Sequence, residues 1–219
     1  MPTASQLISR PKPLRDQVYE CIVSMILNME IRPGDSFTEP MLIERLGVSR
    51  TPIREALLRL DAEGILSSSL ARGFKLRALD DKEVADSFPI LGSLEMLAIR
   101  ELPDTLKAPM MKKLKQVASD LSSTTDPVER WSLDSQFHQL LVEASGNKRL
   151  LDITKPLRVL LGRYELSFMA EAEPDHTHAD TQHMQIVAAL ESDERLQAAR
   201  IDREHWDNEM EAILAWMKQ

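Results

Sequence analysis

The run Leu46-Gly47-Val48-Ser49-Arg50-Thr51-Pro52-Ile53-Arg54-Glu55-Ala56-Leu57 decides how the rest of the chain is read. It is a turn feeding a helix. Gly47 can take the left-handed conformation that ends one helix, Ser49 or Thr51 can cap the next, and Pro52 is tolerated in a first turn, where its missing N–H costs nothing. From Arg50 onward Ile53, Ala56, Leu57 and Leu60 fall on one face, while Arg50, Arg54 and Arg59 project elsewhere. A short helix that buries one stripe and offers guanidinium groups beside a free N-terminus has the shape of a recognition helix in a DNA major groove.

Its flanks fit that reading. Upstream, Leu14, Val18, Cys21, Ile22, Met25, Ile26 and Met29 repeat at helical spacing and predict a helix over 14–29. Ile31 to Asp35 is a turn at Pro33-Gly34. A second helix begins near Thr38, carries Leu42, Ile43 and Leu46, and stops at Gly47. The third ends at Glu63-Gly64, after which the period changes from helix to strand. Ile65–Ser68 and Phe74–Arg77 then flank a turn containing Arg72 and Gly73. A hairpin in that position is a wing able to lay Arg72 and the bare backbone of Gly73 against a minor groove, or else an ordinary surface turn. Residues 1–12, polar and proline-bearing, are read as a flexible arm.

Residues 14–78 resemble the winged-helix DNA-binding domain of the GntR family of bacterial transcription regulators. The residues that carry the resemblance are the Gly47-to-Leu57 run, the Leu58-Arg59-Leu60-Asp61-Ala62-Glu63-Gly64-Ile65-Leu66 segment after it, and the glycine-bearing wing. The resemblance implies that Arg50 and Arg54 contact base edges or phosphates, that Thr51 contacts phosphate, and that Arg72 with Gly73 enters the minor groove. One position departs: Pro40 stands where members often carry an arginine, which shifts base reading onto Arg50 and Arg54.

Composition bounds the remainder. In 219 residues, 43% hydrophobic, there is enough apolar surface for a proper core. No run approaches the ~18 apolar residues of a membrane span, and Met1 to Lys12 lacks the apolar segment of a secretory signal, so the expectation is a cytoplasmic protein. The lone cysteine, Cys21, excludes an intramolecular disulfide and is read as a small core residue. The net charge of -8 is unevenly placed: residues 1–79 hold 11 Lys and Arg against 9 Asp and Glu, and residues 80–219 hold 16 against 26. The asymmetry points to two domains, 13–78 and 79–219, with different partners.

Beyond Asp80 the pattern is helical throughout. The expected segments run from Asp80 or Asp81 to Leu102, from Asp104 to Leu121, and from Asp126-Pro127 to Ser145. Three more run from an Asn147 cap towards Met169 with a kink at Pro156, from about Thr181 to Leu190, and from Ser192 or Asp193 to Trp216. The fold class is therefore mostly α: an N-terminal winged helix-turn-helix with a small β-hairpin wing, then an all-α six-helix bundle. Within the bundle Asp134 and His138 are four apart on one helix, the spacing at which a carboxylate and an imidazole either share a metal or form a surface hydrogen bond. His183 and His205 lie on the last two helices. His176 and His178 fall in a polar loop and are read as solvated.

Asp134-Ser135-Gln136-Phe137-His138, Ala144-Ser145-Gly146-Asn147, His183 with Ile186, and His205 resemble the FCD-type effector domain of one GntR branch, over roughly residues 80–216. The resemblance implies that Asp134, His138, His183 and His205 are ligands to a divalent metal, with zinc first and nickel or manganese as alternatives. It also implies a small-molecule effector, expected to be a carboxylate. Gly92 departs from it, near where relatives place an arginine thought to clamp an acid; Arg163 is the candidate to replace it in effector binding. Function follows as a homodimeric, ligand-responsive regulator that reads a palindromic operator. The rivals are an effector-independent DNA-binding protein with a structural metal and a metal-dependent helical enzyme.

Overall fold

In a computed structural model of the chain, which describes residues 12–69, 73–103, 106 and 108–219, two compact units emerge, Met1–Arg77 and Ala78–Gln219. The first holds α1 (Leu14–Leu27), β1 (Ser36–Phe37), α2 (Glu39–Leu46), α3 (Arg50–Ala62), β2 (Leu66–Ser69) and β3 (Gly73–Leu76). Gly47 ends α2 at φ 66, ψ 26, in the left-handed conformation its lack of a Cβ permits. α3 then starts at Arg50 with Ser49 before it in an extended conformation. Val18, Ile22, Met25 and Ile26 of α1 meet Ile53, Ala56, Leu57 and Leu60 of α3 in the core.

Three details differ from the sequence reading. Cys21 is exposed; it precedes Ile22 by one residue, about 100° around the helix, and so falls off the buried stripe. Arg59 does leave the buried stripe and stays exposed, but its guanidinium is engaged, stacking over Tyr19 at 3.8 Å and bonding Glu63 at 2.9 Å. The hairpin is part of an antiparallel sheet of order β1-β3-β2, with Leu66 opposite Leu76 and Phe37 opposite Phe74. A two-residue strand such as β1 is too short to show alternation. Its passage explains Gly73: a Cβ there would sit 2.8 Å from the Phe37 carbonyl oxygen. Arg72 lies outside the described residues, as does nearly all of the expected N-terminal arm.

The second unit holds α4 (Asp81–Arg100), α5 (Ala108–Leu121), α6 (Pro127–Ala144), α7 (Lys148–Ala172), α8 (Thr177–Glu191) and α9 (Arg195–Trp216). Asp80, Asp126 and Asn147 cap α4, α6 and α7 with side-chain oxygens on backbone N–H groups, satisfying donors the helix starts leave orphaned. The expected start of α5 at Asp104 falls outside the described residues. α7 runs through Pro156 to Ala172, and α8 begins at Thr177 because the Asp175 carboxylate accepts from the Thr177 N–H and hydroxyl. His178 therefore lies in a helix and not in a loop. No described helix is long and apolar enough to cross a membrane.

Two glycines let tryptophans wedge between helices. At Gly162 on α7 a Cβ would stand 2.6 Å from Cζ2 and 2.8 Å from Cε2 of Trp131. At Gly92 on α4 it would stand 3.0 Å from Cβ of Trp206 and 2.8 Å from an Arg203 nitrogen. Gly162→Ala forces the Trp131 ring off the α7 backbone. It is expected to destabilise the protein by ~1–3 kcal/mol despite alanine's better helix propensity, read as a lower urea midpoint at unchanged slope.

Candidate metal centre and DNA-reading surface

Asp134 and His138 project from α6 into the bundle, where His183 of α8 and His205 of α9 meet them. The three histidines are 0%, 1% and 3% exposed and Asp134 is 9% exposed, so the surface hydrogen-bond alternative does not apply. One ligand atom from each of the four residues lies within 4.8 Å of the others. His138 Nε2 is 3.2 Å from His183 Nε2, His183 Nε2 is 3.3 Å from Asp134 Oδ1, and His138 Nε2 is 3.7 Å from that oxygen. Bonds of ~2.0–2.1 Å around a tetrahedral metal place ligand atoms roughly 3.3 Å apart, so these separations match the edges of a coordination shell.

The electrostatics also fit a cation. Glu95, Asp134, Glu165 and Asp202 are buried around the imidazoles. Among the described residues the guanidinium set between them is that of Arg158, whose Nη2 donates to Asp134 Oδ2 at 2.8 Å and whose Nη1 lies 3.6 Å from Glu165. The charge of nearby Arg130 is matched by Asp180. Burying several carboxylates against one guanidinium is costly unless protons or a metal ion restore the balance. Burial lowers the pKa of His183 and depresses that of His205 further, with help from the neighbouring imidazoles, so both present neutral nitrogens suited to a metal. Burial opposes charge on Asp134 too, but His138, His183 and Arg158 outweigh it and hold the carboxyl well below its usual range. His138 is pushed up to about 10, the attraction of Glu95 and Asp134 exceeding the cost of burial.

A cavity of about 10 Å³ adjoins the cluster, lined in part by Arg130, His176, His183 and Glu209. It has room for a water or an ion. His176, taken from sequence as solvated, is half-buried at this spot. Arg163 does not reach it: Nε donates to the Leu160 carbonyl at 3.0 Å and Nη2 to Glu83 at 2.7 Å, on the side of α7 that faces the start of α4. The arginine at the cluster is Arg158, five residues earlier. Glu95, Arg158, Glu165 and Asp202 were all missed in the sequence. The legible signal was a charged residue inside an apolar helical stripe, as Glu95 is among Leu91, Ala98 and Ile99 on α4.

In the other unit Arg50, Thr51 and Arg54 are exposed together at the start of α3. Glu39, at the start of α2, lies 3.3 Å from Arg50 and 3.6 Å from Arg54. Pairs this exposed are weak, so both guanidinium groups stay available to phosphates and bases.

The family model described as bacterial regulatory proteins, gntR family, matches residues 14–76, and that of the FCD domain matches residues 86–208. The chain belongs to the GntR family. The HTH-type transcriptional regulator YdhC of Bacillus subtilis (strain 168) is 30% identical over 158 residues, covering 70% of each chain. The Nta operon transcriptional regulator of Aminobacter aminovorans is 33% identical over 135 residues, covering 61% of this chain and 64% of its own. The structure of E. coli McbR/YncC superposes with a TM-score of 0.84 at 21% identity, covering 95% of this chain and 100% of that one, which is a likeness of fold. This GntR protein is a DNA-binding transcription regulator with an FCD domain; its family consists of regulators and not enzymes.

Arg158→Met keeps an apolar stem and removes the charge, leaving Asp134 and Glu165 buried without their partner. The cost is expected to be ~3–5 kcal/mol of stability, measured as a fall in the denaturant midpoint of the metal-free protein; a midpoint within error of wild type would remove Arg158 from the centre of this network.

Proposed function

We propose that the protein is a homodimeric regulator in which residues 13–78 read a palindromic operator and residues 79–219 sense a small acid at a divalent metal. The observation that carries this reading is the convergence of four buried ligand atoms, one each from Asp134, His138, His183 and His205, within 4.8 Å. The donor set of one carboxylate and three imidazoles suits zinc, with nickel or manganese as alternatives; it fills a tetrahedral shell, so an exogenous carboxylate would bind by expanding the coordination to five or six. Bound there, the metal supplies a Lewis-acid anchor for that carboxylate. The chain supplies the rest: Arg158 orients Asp134, and burial keeps His183 and His205 neutral.

Arg50 and Arg54 are the base-reading residues and Thr51 a phosphate contact. The wing, with Arg72 and Gly73, supplies the minor-groove contact. Two half-sites about one helical turn apart, ~34–36 Å, require two such surfaces held by a symmetric dimer, and the cytoplasm is where that operator is found. The effector acts by preferring one arrangement of the bundle; its leverage is limited to its difference in affinity for the two states, ~1–3 kcal/mol. A cavity of about 10 Å³ holds no metabolite, so an effector must bind a more open state. The same small cavity favours a second reading, in which the metal is structural and operator binding is insensitive to small acids.

His183→Ala is expected to abolish stoichiometric metal in the purified protein, as measured by elemental analysis; full occupancy would remove His183 from the site. Arg54→Ala is expected to weaken binding by ~1–3 kcal/mol to an operator that the wild-type protein selects from random DNA, with equal gel-shift affinity sinking its assignment. Titrating a panel of small carboxylic acids against the metal-loaded wild-type complex with that operator separates the two readings. Release by an acid supports sensing, and insensitivity to every acid supports a structural metal.

A further inference from the structure

The four ligand residues do not exhaust the chemistry of this core. The far nitrogen of His138, Nδ1, faces two carboxylates from two other helices: Glu95 Oε2 of α4 at 2.7 Å and Asp202 Oδ1 of α9 at 3.4 Å. All three side chains are essentially inaccessible to water. Glu95 is itself held in place, since Oε2 accepts from the indole N–H of Trp206 at 3.0 Å. Trp206 in turn packs against the backbone of α4 at Gly92. Both Asp202 oxygens are buried without a hydrogen-bond partner, an arrangement that needs a compensating charge nearby.

A neutral imidazole carries one proton, and which nitrogen holds it decides which one can bind a metal. A carboxylate at 2.7 Å stabilises a proton on Nδ1 and leaves the lone pair on Nε2, the atom that faces His183 and Asp134. A metal-bound imidazole with its other N–H donated to a carboxylate is both oriented and made a stronger donor. We infer that Glu95, backed by Asp202, is the positioning residue for His138: it locks the Nδ1–H tautomer, aims Nε2 at the metal, and with Asp202 supplies the negative charge that favours a dication over an empty site. This rests on the metal reading of Asp134, His138, His183 and His205, and adds to it two residues outside the ligand set.

This arrangement also ties metal binding to the packing of three helices. Glu95 belongs to α4, His138 to α6 and Asp202 to α9, so the close approach of the two carboxylates to Nδ1 exists only when all three helices stand in their native register. The Nδ1 atoms of His138, His183 and His205 are all buried outside hydrogen-bond geometry, but among the described residues only that of His138 has paired carboxylates beside it, Glu95 at 2.7 Å and Asp202 at 3.4 Å. His138 is thereby the ligand whose orientation is most tightly built in.

The test uses the full-length protein with zinc as the probe. Histidine-selective ¹⁵N NMR of the zinc-loaded wild type should show His138 protonated at Nδ1 and metal-bound through Nε2. Glu95→Gln and Asp202→Asn, each checked for a wild-type circular dichroism spectrum, should weaken zinc by ~10–100-fold in competition with a chromophoric chelator. Glu95→Asp, which keeps the carboxylate, should recover part of that loss. Cobalt(II) absorption should change in shape in Glu95→Gln, reporting a reoriented ligand and not merely a looser fold. Coordination of His138 through Nδ1, or wild-type zinc affinity in both amide variants, overturns the inference while leaving the four-ligand site intact. A wild-type protein that takes up no zinc, cobalt, nickel or manganese overturns the site itself and the inference with it. Should either variant fail to fold, the wild-type NMR assignment still decides.

Discussion

Arg158 is the buried cation set among the carboxylates of the histidine cluster in the second unit. Its guanidinium donates to Asp134, faces Glu165 and lies 4.8 Å above the indole of Trp206. Burial works against its charge, but Glu165 and Asp134 outweigh that and raise its pKa. A guanidinium in this position imposes conditions on everything near it. Its carboxylates must come from different helices at fixed distances, its stem must be packed, and the remaining negative charge must be met by another cation.

Two of the three tryptophans, Trp131 and Trp206, meet those conditions. Trp131 donates to Glu165 and Trp206 to Glu95, so each indole orients a carboxylate of the core. Each ring lies against a helix backbone at a glycine, Gly162 for Trp131 and Gly92 for Trp206. The glycine at 92 is thus explained by packing: Arg203 and Trp206 fill the room that a side chain from 92 would need. Arg163, expected in effector binding, instead holds Glu83 near the start of α4 alongside the Tyr164 hydroxyl. It belongs to the framework and not to the cluster.

The DNA-reading unit follows a different logic, in which the apolar interior does the positioning and the polar surface is left free. α1 and α3 share a core of aliphatic side chains, and the arginines of α3 project from the opposite side. That division costs little to encode, because it needs only a helical period and a turn. It also leaves Arg50 and Arg54 exposed side by side at the start of α3.

Many local patterns were legible in the sequence, although Thr38 and Ser49 precede their helices without the cap hydrogen bonds expected of them and α8 starts at Thr177, ahead of the expected Thr181. Gly47, the 3.6-residue stripe of Ile53, Ala56, Leu57 and Leu60, and the caps at Asp80, Asp126 and Asn147 act through neighbours in the chain, so they state their structural role without reference to the fold. Asp134 with His138, four apart on one helix, was legible as a pair for the same reason. The company they keep was not. Cys21, one residue off a stripe, faced out. The strand at Ser36–Phe37 existed only by pairing with β3. Glu95, Arg158, Glu165 and Asp202 gathered around the histidines from α4, α7 and α9, three helices whose separation in sequence carries no period. By itself the sequence determined the helices, the turn and the Asp134–His138 pair, because those depend on short-range geometry; His183 and His205 joined that pair as ligand candidates only through the family resemblance. Only the tertiary structure decided that Arg158 and not Arg163 stands at the cluster, and that His138 has carboxylates behind it, because a buried charge is paired by whatever the packing of distant helices brings within a few ångströms.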